Sequence, residues 1–329
     1  MDFENQTDLP ADMMVGSTSD REMLCIVAAK ATYRVDESGL DLVVGDEAWP
    51  VFEKPFEFRG VALAPDLDYR KRGTDVLVFG NAVAPGGDAV PAMWVGLESG
   101  ELRYRAAVYG DRTWVRSGDR LVPSAPVPFE EMPLGNDRAF GGIGVVDGQE
   151  MPHPVNPDGR GFYLSEEEAE DRPLPNLERP DALIGGWLDR PKPACFLPPL
   201  GSLGLDPEEM QGGDPMEAVM ASIASSFNQA VPDLVTSPGA LGDTLRLEGF
   251  FPEGTVVLPM PPRRGPDAVA AVGDLTGRFP TALSSLIVLA AERVYVATWV
   301  SIFRYLFRPR EKRSVVLMPR DGAPAGRGN

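Results

Sequence analysis

The chain has 329 residues, 43% of them hydrophobic, and carries a formal net charge of −18. This apolar fraction is typical of a globular protein with a packed core and excludes a disordered chain. The negative charge argues against a nucleic-acid-binding surface, which needs a basic stripe to displace counterions from phosphates. The 35 glycines and 33 prolines favour many short strands joined by turns over long helices.

The first twenty residues are acidic and lack the basic start and apolar centre of a secretory signal. We expect residues 1–20 to be a flexible segment and the protein to be cytoplasmic. The two cysteines, Cys25 and Cys195, have no metal-ligand spacing and imply no disulfide framework. Cys25 lies in an apolar run, which predicts a buried, unreactive thiol.

Alternating apolar and polar residues predict strands through the first half of the chain. Strands are expected at 23–35 and 75–83, and 93–109 is typical of a hairpin with its turn at Glu98–Glu101. A second hairpin is expected over 113–123. An antiparallel sheet system with one face in water gives this pattern.

Prolines and glycines crowd the middle of the chain, about 125–215, and predict long ordered loops. The acidic run at 165–171 is expected to be an exposed turn or short helix, since it lacks the alternating ligands of a calcium loop. The single histidine, His153, lies between prolines and is interpreted as a loop residue. It shows no third group to orient it as a catalytic base.

Catalytic motifs are missing from the sequence. It contains no GxSxG elbow, no phosphate-binding loop and no HExxH, and its GGIG at 141–144 does not follow a buried strand. We therefore expect no enzymatic activity, no cofactor, no metal site and no small-molecule substrate.

One long helix is predicted from Asp214, which is a good N-cap followed by Pro215 and, three residues after the cap, by Glu217. Its apolar face would pack in the core or receive a partner helix. This face comprises Met216, Val219, Met220, Ile223 and Phe227.

Strands return after this helix, at 243–262 and 283–303. The second stretch is long enough to raise the question of a membrane span, but Glu292 and Arg293 lie at its centre, where charges are costly. We read it as two strands joined near 290–293, the second over 293–300, and expect no membrane span. The basic residues 304–329 are expected to form a flexible tail, solvated or available as an electrostatic handle.

The sequence therefore predicts a mainly β fold of antiparallel sheets, sandwich or barrel-like, with long ordered loops and one or two short helices. A single domain is expected over 21–303.

Several motifs, in order, resemble a bacterial family of unknown function whose genes commonly lie beside those of type VI secretion spike proteins and toxic effectors. They begin with a basic entry to the strand Thr74–Val76, a GxA strand at 80–82 and the GDRTW hairpin end at 110–114. They continue with MPLGNDRAFGG (132–142), NPDGRGF (156–162) and LPNLERP (174–180). The chain departs from the family pattern after LPNLE, over about 195–220.

This resemblance implies an adaptor or chaperone that binds a type VI effector protein and promotes its loading onto the secretion spike protein. A structural or toxin-associated module of a contractile injection machine is the alternative, and an enzyme of unknown reaction is the third. We interpret the signature positions as structural, with Arg112 paired to a carboxylate and Trp114 packed under the sheet; the rival reading makes Trp114 an exposed partner anchor. These positions are Asp111, Arg112, Trp114, Arg138, Phe140, Asn176 and Glu178.

Overall fold

The computed structural model describes residues 1–17, 22–67, 71, 73–198, 228–237, 239–272 and 275–320. It is 54% strand and 6% helix, with several antiparallel sheets, which confirms the predicted mainly β fold. No sheet in this part of the chain closes on itself. None of its helices is long and apolar enough to cross a membrane. Residues 214–227 of the helix predicted from Asp214 lie outside the described residues, and residues 228–230, which the prediction also included, are not helical.

The strands of the first third are β1 Asp2–Asn5, β2 Ala11–Ser17, β3 Glu22–Asp36, β4 Gly39–Val43, β5 Phe56–Phe58, β6 Val61–Leu63, β7 Thr74–Phe79, β8 Asn81–Val83, β9 Ala92–Ser99 and β10 Leu102–Tyr109. The middle contains β11 Trp114–Ser117, β12 Arg120–Pro123, β13 Glu131–Pro133, β14 Phe140–Gly141, β15 Ile143–Val146, β16 Gln149–Pro152, β17 Arg160–Gly161 and β18 Leu177–Glu178. The last third contains β19 Val235–Thr236, β20 Thr244–Phe251, β21 Gly254–Pro259, β22 Asp267–Val272, β23 Leu275–Pro280, β24 Ala282–Leu289, β25 Val294–Leu306 and β26 Arg313–Met318.

The helical segments among the described residues are short. They are α1, Glu166–Ala169, and 3₁₀ turns at Gly45–Glu47, Pro85–Gly87, Asn136–Arg138 and Pro232–Leu234. The hairpins predicted from alternation are present, including the two strands in 283–303 and the hairpin of β11 and β12. The single strand predicted at 75–83 is instead divided at Gly80 into β7 and β8, which belong to different sheets.

The largest sheet has the order β19-β7-β24-β25-β3-β2, and β4 also pairs with β3. Its longest ladder joins β3 and β25 in an antiparallel register from Glu22 opposite Leu306 to Arg34 opposite Val294. The neighbouring pair β7 and β24 is parallel. This pair joins a strand from the first half of the chain to one of its last strands in a single sheet. Parallel neighbours need a long crossover connection, and here most of the chain lies between them.

A second, five-stranded sheet with the order β18-β10-β9-β20-β21 packs against this large sheet. Buried residues of β7, β24 and β25 form one hydrophobic core with residues of β9, β10 and β20, among them Val95, Leu97 and Leu247. The two sheets thus form the predicted sandwich.

The described parts of the two segments predicted to be flexible, 1–20 and 304–329, contain strands: β1 and β2 in the first, and the end of β25 with β26 in the second. β1 pairs in parallel with β26, and both belong to a four-stranded sheet with the order β1-β26-β22-β23. Val315 and Leu317 are fully buried in a second core against β22 and the first half of β3. Basic residues flank β26, but its alternate apolar side chains are removed from water. This burial stabilises the strand.

Strand β3 is buried on both faces, which differs from the predicted sheet with one wet face. Its odd positions, such as Cys25 and Val27, face the four-stranded sheet, and its even positions, such as Ile26 and Ala28, pack under Leu67. Strands covered on both sides have near-continuous apolar runs, and the even positions of β3 are accordingly apolar through Ala28.

Asp75, in β7, anchors the chain where the described residues resume at Asn228. Its buried carboxylate accepts hydrogen bonds from the backbone N–H groups of Gln229 at 3.0 Å and Ala230 at 3.2 Å and from Asn228 Nδ2 at 2.9 Å. Lys71 Nζ lies 2.8 Å away. These four donors compensate for the removal of the carboxylate from water.

We expect Asp75→Ala to lower the free energy of unfolding by about 3–5 kcal/mol, because the change leaves a buried ammonium and several N–H donors without their acceptor. Urea unfolding of the purified variant measures this loss. The matched control is Asp46→Ala, which removes an exposed carboxylate. A loss for Asp75→Ala no larger than that of the control would contradict the assignment.

Candidate interaction surface

Residues 111–190 build a compact region with its own hydrophobic core, which we call the signature module. The buried side chains of this core are separate from the two large cores of the sheets. They are Trp114, Leu121, Phe140, Tyr163, Ala169, Leu174 and Ile184. Strand pairs β11–β12, β14–β17 and β15–β16 supply the framework of the module, so its loops are ordered, as the sequence predicts.

A buried ion pair joins the module to the five-stranded sheet. Arg112 pairs with Glu178 in β18, and its Nη2 also donates to the carbonyl of Pro175 at 2.9 Å. The second carboxylate oxygen of Glu178 accepts from the backbone N–H of Ile184 at 2.8 Å. The guanidinium lies 3.9 Å from the centre of the Tyr109 ring. Each buried charge thus has an opposite charge and a further hydrogen bond, although the buried Nε of Arg112 has no acceptor among the described residues.

A second group of polar side chains lies next to this ion pair. Asn176 Nδ2 donates to the carbonyl of Tyr109 and to Asp111 Oδ1, each at 3.0 Å. Arg138 Nη1 donates to Asp111 Oδ1 and to Asn176 Oδ1, each at 3.2 Å. These bonds connect the end of β10, the signature loop at 132–142 and the LPNLERP stretch.

The structure therefore brings all seven signature positions together. Five belong to the polar contacts above, while Trp114 and Phe140 are each 2% exposed in the core of the module. The expected pairing of Arg112 with a carboxylate is confirmed. Trp114 is buried as expected, although it packs in the core of the module and not beneath a large sheet. None of the seven lies on a surface that a partner could contact without rearrangement, apart from the exposed Asp111 and the half-buried Arg138.

Asn156 holds the signature loop from the other side and was not singled out by the sequence. Its buried Nδ2 donates to the carbonyls of Asn136 at 2.8 Å and Phe140 at 3.1 Å. Gly141, at φ 150°, passes so close that a Cβ there would lie 2.1 Å from the Asn156 carbonyl oxygen. This explains the first glycine of the AFGG motif, because no other residue fits this approach.

The fixed loop leads directly into an exposed hairpin made of β15 and β16, which we call the apolar hairpin. Its four large apolar side chains, Ile143, Val145, Val146 and Met151, are between 43% and 50% exposed. Gly144 faces Leu164 of the module, which places Ile143 and Val145 on the opposite face of the strand. An apolar surface of this kind on a rigid base is typical of a protein interaction site.

The short helix α1 fixes the outer edge of the hairpin. Ser165 caps the helix by accepting from the backbone N–H of Glu168. Glu168 in turn accepts from the backbone N–H groups of Val145 at 2.9 Å and Leu164 at 2.7 Å. The acidic run at 165–171 is thus a short helix, one of the two expected forms, and its third glutamate positions the apolar hairpin.

Negative charge surrounds the apolar hairpin. Residues 143–171 contain eight aspartates and glutamates but one arginine. Arg116 neutralises part of this charge by pairing with Glu166 and Glu170, and it lowers the pKa of the Glu170 carboxyl. The exposed Asp147 and Glu167 make no ion pair within the described part of the chain. The surface therefore combines apolar side chains with uncompensated carboxylates.

His153 lies at the base of the hairpin. Its Nδ1 accepts a hydrogen bond from the backbone N–H of Asn156 at 3.1 Å, so the imidazole is neutral with its proton on Nε2. Its ring packs edge-on against Phe140 and Phe162. Burial, and then the charge of Arg190, lowers the pKa of His153 to about 4. The histidine is thus a loop residue that stabilises the hairpin base.

Neither cysteine lies on the candidate surface. Cys25 and Cys195 are completely buried, as expected for Cys25, and burial raises the pKa of each thiol to about 12. Among the described residues, no three side chains of the metal-binding types are grouped as a metal site requires.

We expect Trp114→Ala to destabilise the protein by about 3–5 kcal/mol, because it empties the centre of a small core. Loss of partner binding would then follow from unfolding of the module. The measurement is the melting temperature of the variant beside its binding to a partner. A variant that melts like the wild type yet fails to bind would make Trp114 a contact residue.

Titration of His153 provides a second prediction. The unfolded imidazole has a pKa of about 6.5, so between about pH 6.5 and 4 the unfolded chain binds more protons than the folded chain. The stability contributed by neutral His153 is complete above pH 6.5 and is lost as the pH falls towards 4. Since the chain has one histidine, its Hε1 proton resonance reports this pKa directly, with an expected midpoint of about 4.

The control for this titration is His153→Gln, which keeps an acceptor but does not titrate. Its unfolding free energy should fall less between pH 7 and pH 5 than that of the wild type. A midpoint near the ordinary value of about 6.5 would show that the imidazole is not buried as described.

Residues 20–203, more than half of the chain, match DUF2169, a family described as an uncharacterized protein conserved in bacteria. No curated protein matches the chain, and no solved structure does. The matched range includes the seven signature positions, Asn156 and the apolar hairpin. The match confirms the expectation of a bacterial family of unknown function, and the chain belongs to DUF2169.

Proposed function

We propose that this protein is an adaptor that binds a type VI secretion effector and promotes its loading onto the secretion spike. The resemblance of its ordered motifs to proteins encoded beside spike and effector genes supports this proposal. The fold agrees with a binding role, because the apolar hairpin presents exposed apolar side chains to solvent.

The observation that carries the proposal is the apolar hairpin. Ile143 and Val145 leave about half of their surface in water in the isolated chain, so a partner that covers them would bury further apolar area. Glu168 nevertheless binds the hairpin through the N–H of Val145, and Asn156 binds the loop that leads into it at Phe140. A preorganised apolar surface binds a partner at a lower entropic cost than a flexible loop would.

The charge around the hairpin indicates what the bound segment contains. Exposed Asp147, Glu150 and Glu167 would repel an acidic segment and attract a basic one. An adaptor of this kind would cover an apolar and basic segment of the effector and keep it from other contacts until the spike is reached.

Replacing the outward face of the hairpin tests the proposal. We expect Ile143→Ser with Val145→Ser to weaken effector binding at least about tenfold, since each aliphatic side chain that becomes buried contributes about 1.5–3 kcal/mol. Stability should change little because both positions are exposed. The measurement is co-purification and calorimetric titration with the effector encoded next to this gene.

The matched control is Val44→Ser with Leu306→Ser, which removes two aliphatic side chains at least as exposed on other surfaces. This control should bind like the wild type. Equal binding by the hairpin variant would exclude the hairpin as the effector surface. If the wild type forms no complex with the effector or the spike protein, the adaptor function itself is wrong.

A further inference from the structure

The outer face of the five-stranded sheet differs in charge from the rest of this acidic protein. The inner face of β9, β10 and β20 packs in the main core, and alternate residues point outward. The charged residues on this outer face are Glu98, Arg103, Arg105, Arg246 and Glu248. The face therefore has a small positive balance, although the chain carries −18.

Arg105 and Trp94 form a fixed cationic and aromatic contact on this face. The guanidinium of Arg105 lies 4.7 Å from the centre of the Trp94 ring, and its Nη2 pairs with Glu248 Oε1 at 3.0 Å. The indole is still 39% exposed. An exposed tryptophan held by an arginine is the kind of residue that dominates binding energy in protein interfaces.

Arg246 lies in the next row and makes no ion pair within the described residues. Its cross-strand neighbours are Glu98 in β9 and Val257 in β21. Glu98 is already paired with Arg103, at 3.6 Å. The guanidinium of Arg246 is thus free to bind a carboxylate, and the exposed Val257 next to it extends the apolar area.

A shallow depression of about 220 Å³ connects these side chains. Gly96 is among the residues that line it and adds no side chain to fill it. The lining also includes the guanidinium groups of Arg103, Arg105 and Arg246 and the carboxylates of Glu98 and Glu248. Since Arg103 and Arg105 are already paired with these glutamates, Arg246 offers the strongest position for a carboxylate of a partner.

We propose that this face, which we call the arginine–tryptophan face, binds an acidic polypeptide segment of a partner protein. Carboxylates of the segment pair with Arg246 and Arg103, and an apolar side chain covers Trp94. A nucleic acid is disfavoured at the same face, because three arginines beside two glutamates do not form the long basic stripe that a phosphate backbone requires. This inference does not depend on the effector adaptor function, since it concerns a different surface of opposite charge.

The test uses three fluorescein-labelled peptides of equal length in which leucine alternates with glutamate, lysine or glutamine. We expect the purified full chain to raise the anisotropy of the glutamate peptide more than that of the glutamine peptide. Arg103→Glu with Arg246→Glu should weaken binding of the glutamate peptide by about tenfold or more, because attraction becomes repulsion. Trp94→Ala should weaken it too.

The matched control is Arg120→Glu with Arg264→Glu, which changes the net charge equally at two exposed positions elsewhere. This control should keep most of the affinity, and all variants should melt like the wild type. Equal losses in the two double variants would show a general charge effect and overturn the proposal. It is also overturned if the wild type does not prefer the glutamate peptide to the glutamine peptide, or if a single-stranded oligonucleotide binds this face more tightly than the glutamate peptide does.

Discussion

The antiparallel pairing of β3 with β25 is the contact on which the rest of the molecule depends. These two long strands extend across the large sheet, and each packs in both major cores. One half of the pair packs against the five-stranded sheet. The other half packs against the four-stranded sheet, in which β1 pairs with β26. Since neither core can lose this strand pair and remain covered, the sheets are expected to fold and unfold as one cooperative unit.

Much of the fold could be predicted from alternation of apolar residues, and the errors have clear physical causes. The hairpins at 93–109 and 113–123 are local, so their patterns are complete within a short stretch of sequence. The pairing of β1 with β26 joins the two ends of the chain, and no local pattern reports it. Basic residues flank Val315 and Leu317, so the local charge pattern predicts a solvated tail at a place where the fold buries a strand.

The sequence motifs identify the polar residues at the base of the candidate site, but neither their arrangement nor the hairpin above them. The motifs pointed to Arg112 and Glu178, but these side chains are separated by 66 positions in the sequence, and only the fold shows that they pair. The exposure of Ile143 and Val145 could not be predicted, because an alternating apolar strand normally faces a core. Only the structure shows that about half of each of these residues is exposed to solvent. The arginine–tryptophan face could not be predicted either, because its side chains come from separate strands and only the fold brings them together.

The complete burial of Cys25 and Cys195 has a practical consequence. A thiol with a pKa of about 12 contains almost no thiolate at neutral pH, and neither sulfur is accessible to reagents. A cysteine introduced on either proposed surface would therefore be the one reactive thiol of the folded protein. Maleimide labels or disulfide cross-links placed there would report the position of a bound partner without removal of the native cysteines from the core.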